Sequence, residues 1–149
     1  MHLSQNFTLA ELCKSQTAVR LGIDNLAKDE NIITNLQLIC ENILEPVREN
    51  YGIPFSPNSG YRSPKLNNAV GSSQKSQHLR GQAVDIEVPS IDNYELANWI
   101  RSSLDFDQLI LEFYTGEPSS GWVHVSYAND NRKQLLIFNG KDWLSGLVK

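Results

Sequence analysis

The sequence predicts an α+β fold in one domain: a small, mainly antiparallel sheet with helices packed on one side. Three observations predict it. Between Asp29 and Asn50, Ile32, Leu36, Ile39, Cys40, Ile43, Leu44 and Val47 recur at helical spacing and draw one apolar stripe. Val84, Ile86 and Val88 alternate with Ala83, Asp85 and Glu87, and Val123, Val125 and Tyr127 with Trp122, His124 and Ser126, the two-residue period of a half-buried strand. Gly116, Pro118, Ser119, Ser120 and Gly121 read as the loop of a hairpin leading from the strand of Glu112 back into that of His124, so those two are expected to run antiparallel.

Taken in order, Thr8-Leu9-Ala10-Glu11 reads as a capping box opening a short helix. The long amphipathic helix follows, and Pro46 should bend or shorten its last turns. Phe55 to Asn58 reads as a strand leading into the loop of Arg62, and Pro64 suits the first turn of a short helix ending near Gly71. Residues 82–88 form the next strand. Asp92-Asn93-Tyr94-Glu95 is a second helix start, with Leu96, Ala97, Trp99, Ile100 and Leu104 on one face. Phe106 to Tyr114 reads as a strand, and Gly116, Pro118, Ser119, Ser120 and Gly121 as the hairpin loop back into the strand of His124. Gln134 to Phe138 is a last strand, and Asn139-Gly140 a turn into the tail.

Composition bounds the function. A chain of 149 residues can bury a genuine core without disulfides, and no repeat, linker or low-complexity tract suggests a second module, so residues 1–149 are expected to form one domain with its core at about 3–138. A net charge of −4 offers no electrostatic footprint for nucleic acid. No run is long enough to cross a bilayer. Cys13 and Cys40 lack metal-ligand spacing and read as packing thiols. The amino terminus has no basic region followed by an apolar stretch, so synthesis in the cytoplasm without a secretory signal is expected, as is a monomer.

His78, Asp85 and His124 carry the chemistry. Two imidazoles and one carboxylate are the ligand set of a hydrolytic zinc, which keeps an open position for a water of lowered pKa. In Ser76-Gln77-His78-Leu79-Arg80-Gly81-Gln82-Ala83-Val84-Asp85, Gly81 permits a tight turn that brings His78 back over the end of the strand, while Asp85 points away from the apolar face. Small Ala83 leaves space beside it. His124 is presented by a strand, next to the aromatic wall of Trp122. His2, at the terminus, is not a ligand candidate.

His-x-x-Gly-x-Ala-x-Asp followed by Trp-x-His resembles the zinc D-Ala-D-Ala carboxypeptidase and L-alanyl-D-glutamate endopeptidase family, peptidoglycan peptidases whose metal core is similar to that of the hedgehog signalling domain. The likeness extends to Ser59-Gly60-Tyr61-Arg62-Ser63-Pro64. The opening Asn6-Phe7-Thr8-Leu9-Ala10-Glu11-Leu12 is similar to a compact phage-type branch. The resemblance implies a hedgehog-like fold, Zn2+ as cofactor and peptidoglycan stem peptides as substrate. It further implies an L-alanyl-D-glutamate endopeptidase of endolysin type, which reaches the wall by holin release or as a virion component. D-Ala-D-Ala carboxypeptidase activity is the close alternative, and a catalytically silent metal-binding or wall-binding module the third. Arg62 would engage the substrate or the developing oxyanion, Ser76 resembles a supporting hydroxyl behind the ligands, and Gln77 would line the cleft.

The general base is the point of departure. Several relatives carry Glu three residues before the last His ligand, where this chain has Gly121. Glu112 is the best substitute: if Tyr114 pairs with Trp122, Glu112 lies opposite His124 on the same face, whereas a one-residue slip would turn it away. Glu117 in the loop is second and Glu87 third.

Overall fold

The computed structural model describes residues 1–146. Five strands, β1 (Ala83–Ile86), β2 (Gln108–Glu112), β3 (Trp122–Ser126), β4 (Gln134–Phe138) and β5 (Trp143–Ser145), form one sheet in the order β1-β3-β2-β4-β5. Every pairing is antiparallel except β2 with β4. That parallel pair follows from the path of the chain, which reverses into β3, reverses again, and returns on the far side of β2. The mainly antiparallel α+β architecture is the one the patterning predicts. β5 was expected only as a tail after the Asn139-Gly140 turn.

Six α-helices are described: α1 (Leu9–Cys13), α2 (Gln16–Leu21), α3 (Glu30–Ile39), α4 (Glu45–Tyr51), α5 (Pro64–Ala69) and α6 (Asn93–Ser103). Thr8 and Glu11 make the expected reciprocal capping box at α1. The short α2, capped by Ser15, was not anticipated. The predicted long helix is interrupted by one π-helical turn, Cys40–Leu44, in which the Glu45 N–H donates to the Cys40 carbonyl. The widened turn sits immediately before Pro46, which lacks the N–H that a regular helix would need there.

The expected strand at 55–58 is reduced to a single bridge between Ser59 and Asp85. Pro54 and Pro57 explain the loss, because neither can donate to a ladder. The bridge still does the positioning job. Asn58 N–H donates to the Asp85 carbonyl at 2.7 Å and Asp85 N–H to the Ser59 carbonyl at 2.8 Å, which ties the Arg62 loop to β1.

The sheet has two unlike faces. Val84, Ile86, Leu109, Leu111, Val123, Val125 and Ile137 point into the core. There they meet Leu36, Ile39, Ile43, Leu44 and Val47 from α3, the π turn and α4, and Leu96, Ala97 and Ile100 from α6. Each such fully buried aliphatic side chain stabilises the fold by roughly 1.5–3 kcal/mol. Cys13 and Cys40 are buried free thiols within this core, and burial pushes Cys40 up to about 12. With α3, the π turn, α4 and α6 packed on one face, the other face of the sheet is left as the floor of a cleft.

Candidate functional site

The cleft, of about 950 Å³, is lined by His78, Asp85, Glu112, Trp122, His124 and Arg62 among others. Asp85 and His124 are directly opposite each other across β1 and β3, so the pleat itself aims both side chains to the same side. His78 arrives from a 3-10 turn, Gln77–Arg80, closed by Gly81 at φ +70°. That left-handed conformation is the turn the sequence required of glycine.

The three side chains converge. His78 Nε2 lies 3.5 Å from Asp85 Oδ2, His124 Nδ1 lies 3.1 Å from Asp85 Oδ1, and one ligand atom from each residue falls within 4.8 Å of the others. The far nitrogen of His78 is fixed: Nδ1 is 2.7 Å from the Gly60 carbonyl. A carbonyl only accepts, so Nδ1 carries a proton and Nε2 is the nitrogen turned toward the cluster. Burial alone would raise the Asp85 carboxyl, but His124 and His78 beside it hold it well below the usual carboxylate range. The group is therefore an anion flanked by imidazoles, with a cationic neighbour in Arg62 Nη2 at 3.5 Å. Atoms about 2.0–2.1 Å from a tetrahedral ion lie roughly 3.3 Å from one another. The two-nitrogen, one-carboxylate donor set fits such an ion, and its three ligand atoms, within 4.8 Å of one another, would draw together around it.

Glu112 shares the cleft face, but in a different register from the one expected. It pairs with Trp122, and Ile110 stands opposite His124. The slip of two residues preserves the face, so Glu112 lies diagonal to His124 rather than across from it. The cause is at the hairpin. Phe113 turns into the left-handed region at φ +57° and ends β2 one residue after Glu112. Burial raises the Glu112 carboxyl above its ordinary value and the charge of Asp85 adds to this. His124, Arg62 and the adjacent Trp122 indole, which stays out of hydrogen-bonding geometry, act the other way.

Gly121 explains why no glutamate occupies its position. Its φ is +65°, and a Cβ added there would lie 2.0 Å from the Glu112 carbonyl oxygen. Gly121→Ala should therefore lower the urea midpoint of unfolding, since the left-handed backbone alone costs a side chain about 1–2 kcal/mol. An unchanged midpoint would contradict this geometry.

The remaining candidates sort clearly. Glu117 is exposed in the hairpin loop and Glu87 is held by Asn58 and Asn93; neither lines the cleft. Ser76 does not touch the ligand rings. Its hydroxyl accepts the His78 N–H at 3.2 Å and caps the turn, the loop-stabilising alternative. Gln77 lines the cleft as expected, and its amide donates to Asp107 at 3.0 Å.

Asp107 and Arg132 were missed, as was the Gly60 carbonyl. Asp107 lies in a segment that reads only as a strand, and a backbone carbonyl has no residue-type signature at all. The buried Asp107 accepts a two-pronged pair from Arg132, with both nitrogens at 2.9 Å, and its carboxyl is held down to about 2 chiefly by that guanidinium. A depressed carboxyl stabilises the fold above its unfolded value of about 3.9, and that contribution is lost as pH falls through the folded value. Asp107→Asn should cost about 1–3 kcal/mol at neutral pH. The deficit relative to the parent should shrink between about pH 4 and pH 2 in chemical denaturation.

A family model described as peptidase M15 matches residues 5–126, which contain His78, Asp85, Glu112 and His124. The chain belongs to the peptidase M15 family. The resemblance read from the His-x-x-Gly-x-Ala-x-Asp and Trp-x-His segments is thereby met, and the α+β fold is consistent with it. A comparison with curated proteins gives no match. Family membership makes this M15 chain a peptidase by kinship, among zinc enzymes that act on peptides, and its His-Asp-His group is one that could hold a metal ion. Among the described residues no helix is long and apolar enough to cross a membrane.

Proposed function

We propose that this chain is a zinc metallopeptidase hydrolysing peptidoglycan stem peptides, with His78, Asp85 and His124 as the metal ligands. The observation that carries the reading is the convergence of His78 Nε2, the Asp85 carboxylate and His124 Nδ1 on the floor of a cleft whose same face presents Glu112. A zinc ion held there would polarise a scissile carbonyl and acidify a water.

The chain's own groups supply the rest. Glu112, whose carboxyl burial and Asp85 push upward, stands on the cleft face where it could take a proton from the attacking water and return it to the departing amine. Gly60 holds the His78 ring through Nδ1, so the metal-facing nitrogen keeps one orientation. Arg62 reaches the cleft from the loop fastened to β1, 3.5 Å from Asp85, and is positioned to meet a negative charge developing on the substrate. Trp122 walls the side of the cleft beside Glu112.

Among wall bonds we favour the L-alanyl-D-glutamate link, on the likeness of the opening Asn6–Leu12 and of the compact form to phage lysins. Release to the wall through a holin, or carriage in a virion, belongs to that reading. A catalytically silent module would need no carboxylate on the metal-facing side of β2, and the presence of Glu112 there speaks against it. Mass analysis of digested muropeptides tests the proposal. A free stem peptide and a glycan strand bearing L-alanine are expected. Release of D-alanine alone would move the assignment to the carboxypeptidase, and intact muropeptides would overturn the peptidase reading.

A further inference from the structure

The cleft face of the sheet does not end at the ligand cluster. Strand register carries one row of side chains across four strands: Trp122 on β3, Glu112 on β2, Phe138 on β4 and Trp143 on β5. Residues in register share a face, and of this row Trp122, Glu112 and Trp143 line the cleft, with Phe138 packed between Trp143 and Phe113. Phe138 and Trp143 are stacked, with ring centroids 4.3 Å apart and an interplanar angle of 25°. Phe113 joins the inner rings, 5.1 Å from Trp122 and 5.5 Å from Phe138. It does so from the left-handed backbone conformation noted above, which bulky side chains rarely adopt.

Two features separate this row from ordinary core. Trp143 is 55% exposed and Phe113 41% exposed. Trp143 also lines the cleft itself, together with polar side chains such as Gln108, Asn129 and Asp130. The outer half of the row, Phe138 and Trp143, lies beyond the family-matched residues 5–126. An exposed aromatic face bordered by hydrogen-bonding groups suits a ligand with one C–H-rich face and a polar rim. A pyranose ring has that shape, since its axial C–H groups carry the partial positive charge that an aromatic face attracts.

Reach agrees. Adjacent strands are about 4.8 Å apart, so β5 lies roughly 14 Å from the His124 strand and β4 roughly 10 Å. In an L-alanyl-D-glutamate substrate, only L-alanine and the lactyl ether separate the scissile bond from the sugar. These are two residue-equivalents, about 7 Å extended. A sugar joined to such a peptide would start beside Phe138 and its neighbour would reach Trp143.

We infer that the two cleft-lining tryptophans of this row, Trp122 and Trp143, the latter backed by Phe138, form a glycan-binding subsite continuous with the peptidase cleft, which seats the N-acetylated amino sugars of the strand that carries the stem peptide. The inference rests on the peptidoglycan reading above and specifies the substrate as a sugar-bearing peptide rather than a free one.

The test has two arms. In the first, an oligomer of N-acetylglucosamine is titrated into the protein and followed by isothermal titration calorimetry, which needs no metal, turnover or tryptophan signal. Saturable binding in the parent is expected, with affinity at least fivefold weaker in Trp143→Leu and partly kept in Trp143→Phe. In the second, kcat and KM are measured on a disaccharide-peptide and on the same peptide without sugar. The ratio of kcat/KM for the sugar-bearing over the sugar-free substrate should fall at least fivefold in Trp143→Leu, through KM.

Absence of sugar binding, or an unchanged ratio, overturns the subsite. Loss of self-association in Trp143→Leu by sedimentation, without any effect on sugar, would overturn it in favour of a second copy of the chain. If the parent cleaves neither substrate yet binds the oligomer through Trp143, the subsite stands and the peptidase reading fails.

Discussion

Alanine in place of His78 is expected to remove metal binding and hydrolysis together. His78 is buried, anchored through Nδ1 to Gly60, and offers Nε2 to a cluster that also needs Asp85 and His124. Without it, a carboxylate and one imidazole remain, too few donors for a structural or catalytic zinc. The purified parent should contain about one zinc per chain, since ligands that converge in the folded state bind metal as they fold. Elemental analysis of the His78→Ala and His124→Ala proteins should find none. Asp85→Ala should keep weak binding through the two imidazoles. Circular dichroism separates loss of ligand from loss of fold. Zinc-free parent protein that gains no activity on adding zinc would end the metallopeptidase assignment.

Glutamine in place of Glu112 is the second large effect. The variant should retain the metal, because Glu112 is no member of the His-Asp-His group, and should lose about two to four orders of magnitude in kcat, the usual range for a removed general base. The observed register makes the experiment sharper. With Ile110 opposite His124, Glu112 reaches the cluster on a diagonal, so the length of its side chain matters as well as its charge. Glu112→Asp should therefore recover only part of the activity. Near-wild-type turnover by Glu112→Gln would remove the base from this strand. Because Glu117 and Glu87 face elsewhere, that outcome would favour the silent binding module.

Much of this was legible in the residues, for reasons that differ from site to site. Asp85 and His124 were readable because a two-residue period assigns faces, and a face is all that a pleated strand needs to bring two ligands together. His78 was readable because Gly81 marks the turn that returns it. The Glu112 register was not. Alternation fixes a face but leaves pairing free to slide by two residues, and the slide was decided by the left-handed turn at Phe113 and the close approach at Gly121. A bulky aromatic gives no warning of a positive φ. The strand expected at 55–58 failed because Pro54 and Pro57 have no N–H to give a ladder. The π turn also lay beyond the periodicity, which continues through it with its apolar stripe intact. Pro46 signalled a disturbance there without saying what form it would take.

The place of β3 in the sheet has a consequence for how this molecule comes to exist. β3 stands between β1 and β2, and Asp85 and His124, 39 positions apart in sequence, face each other only across the β1–β3 seam. A nascent chain that has formed its helices, the His78 turn and even β1 still lacks a third ligand. The missing donor arrives with the strand that joins β1 to the rest of the sheet, across a long loop whose closure costs chain entropy. Joining β1 to β3 and bringing the His-Asp-His group together are thus a single event, whether or not β4 and β5 have yet added beyond β2. An intermediate without that seam lacks the full group.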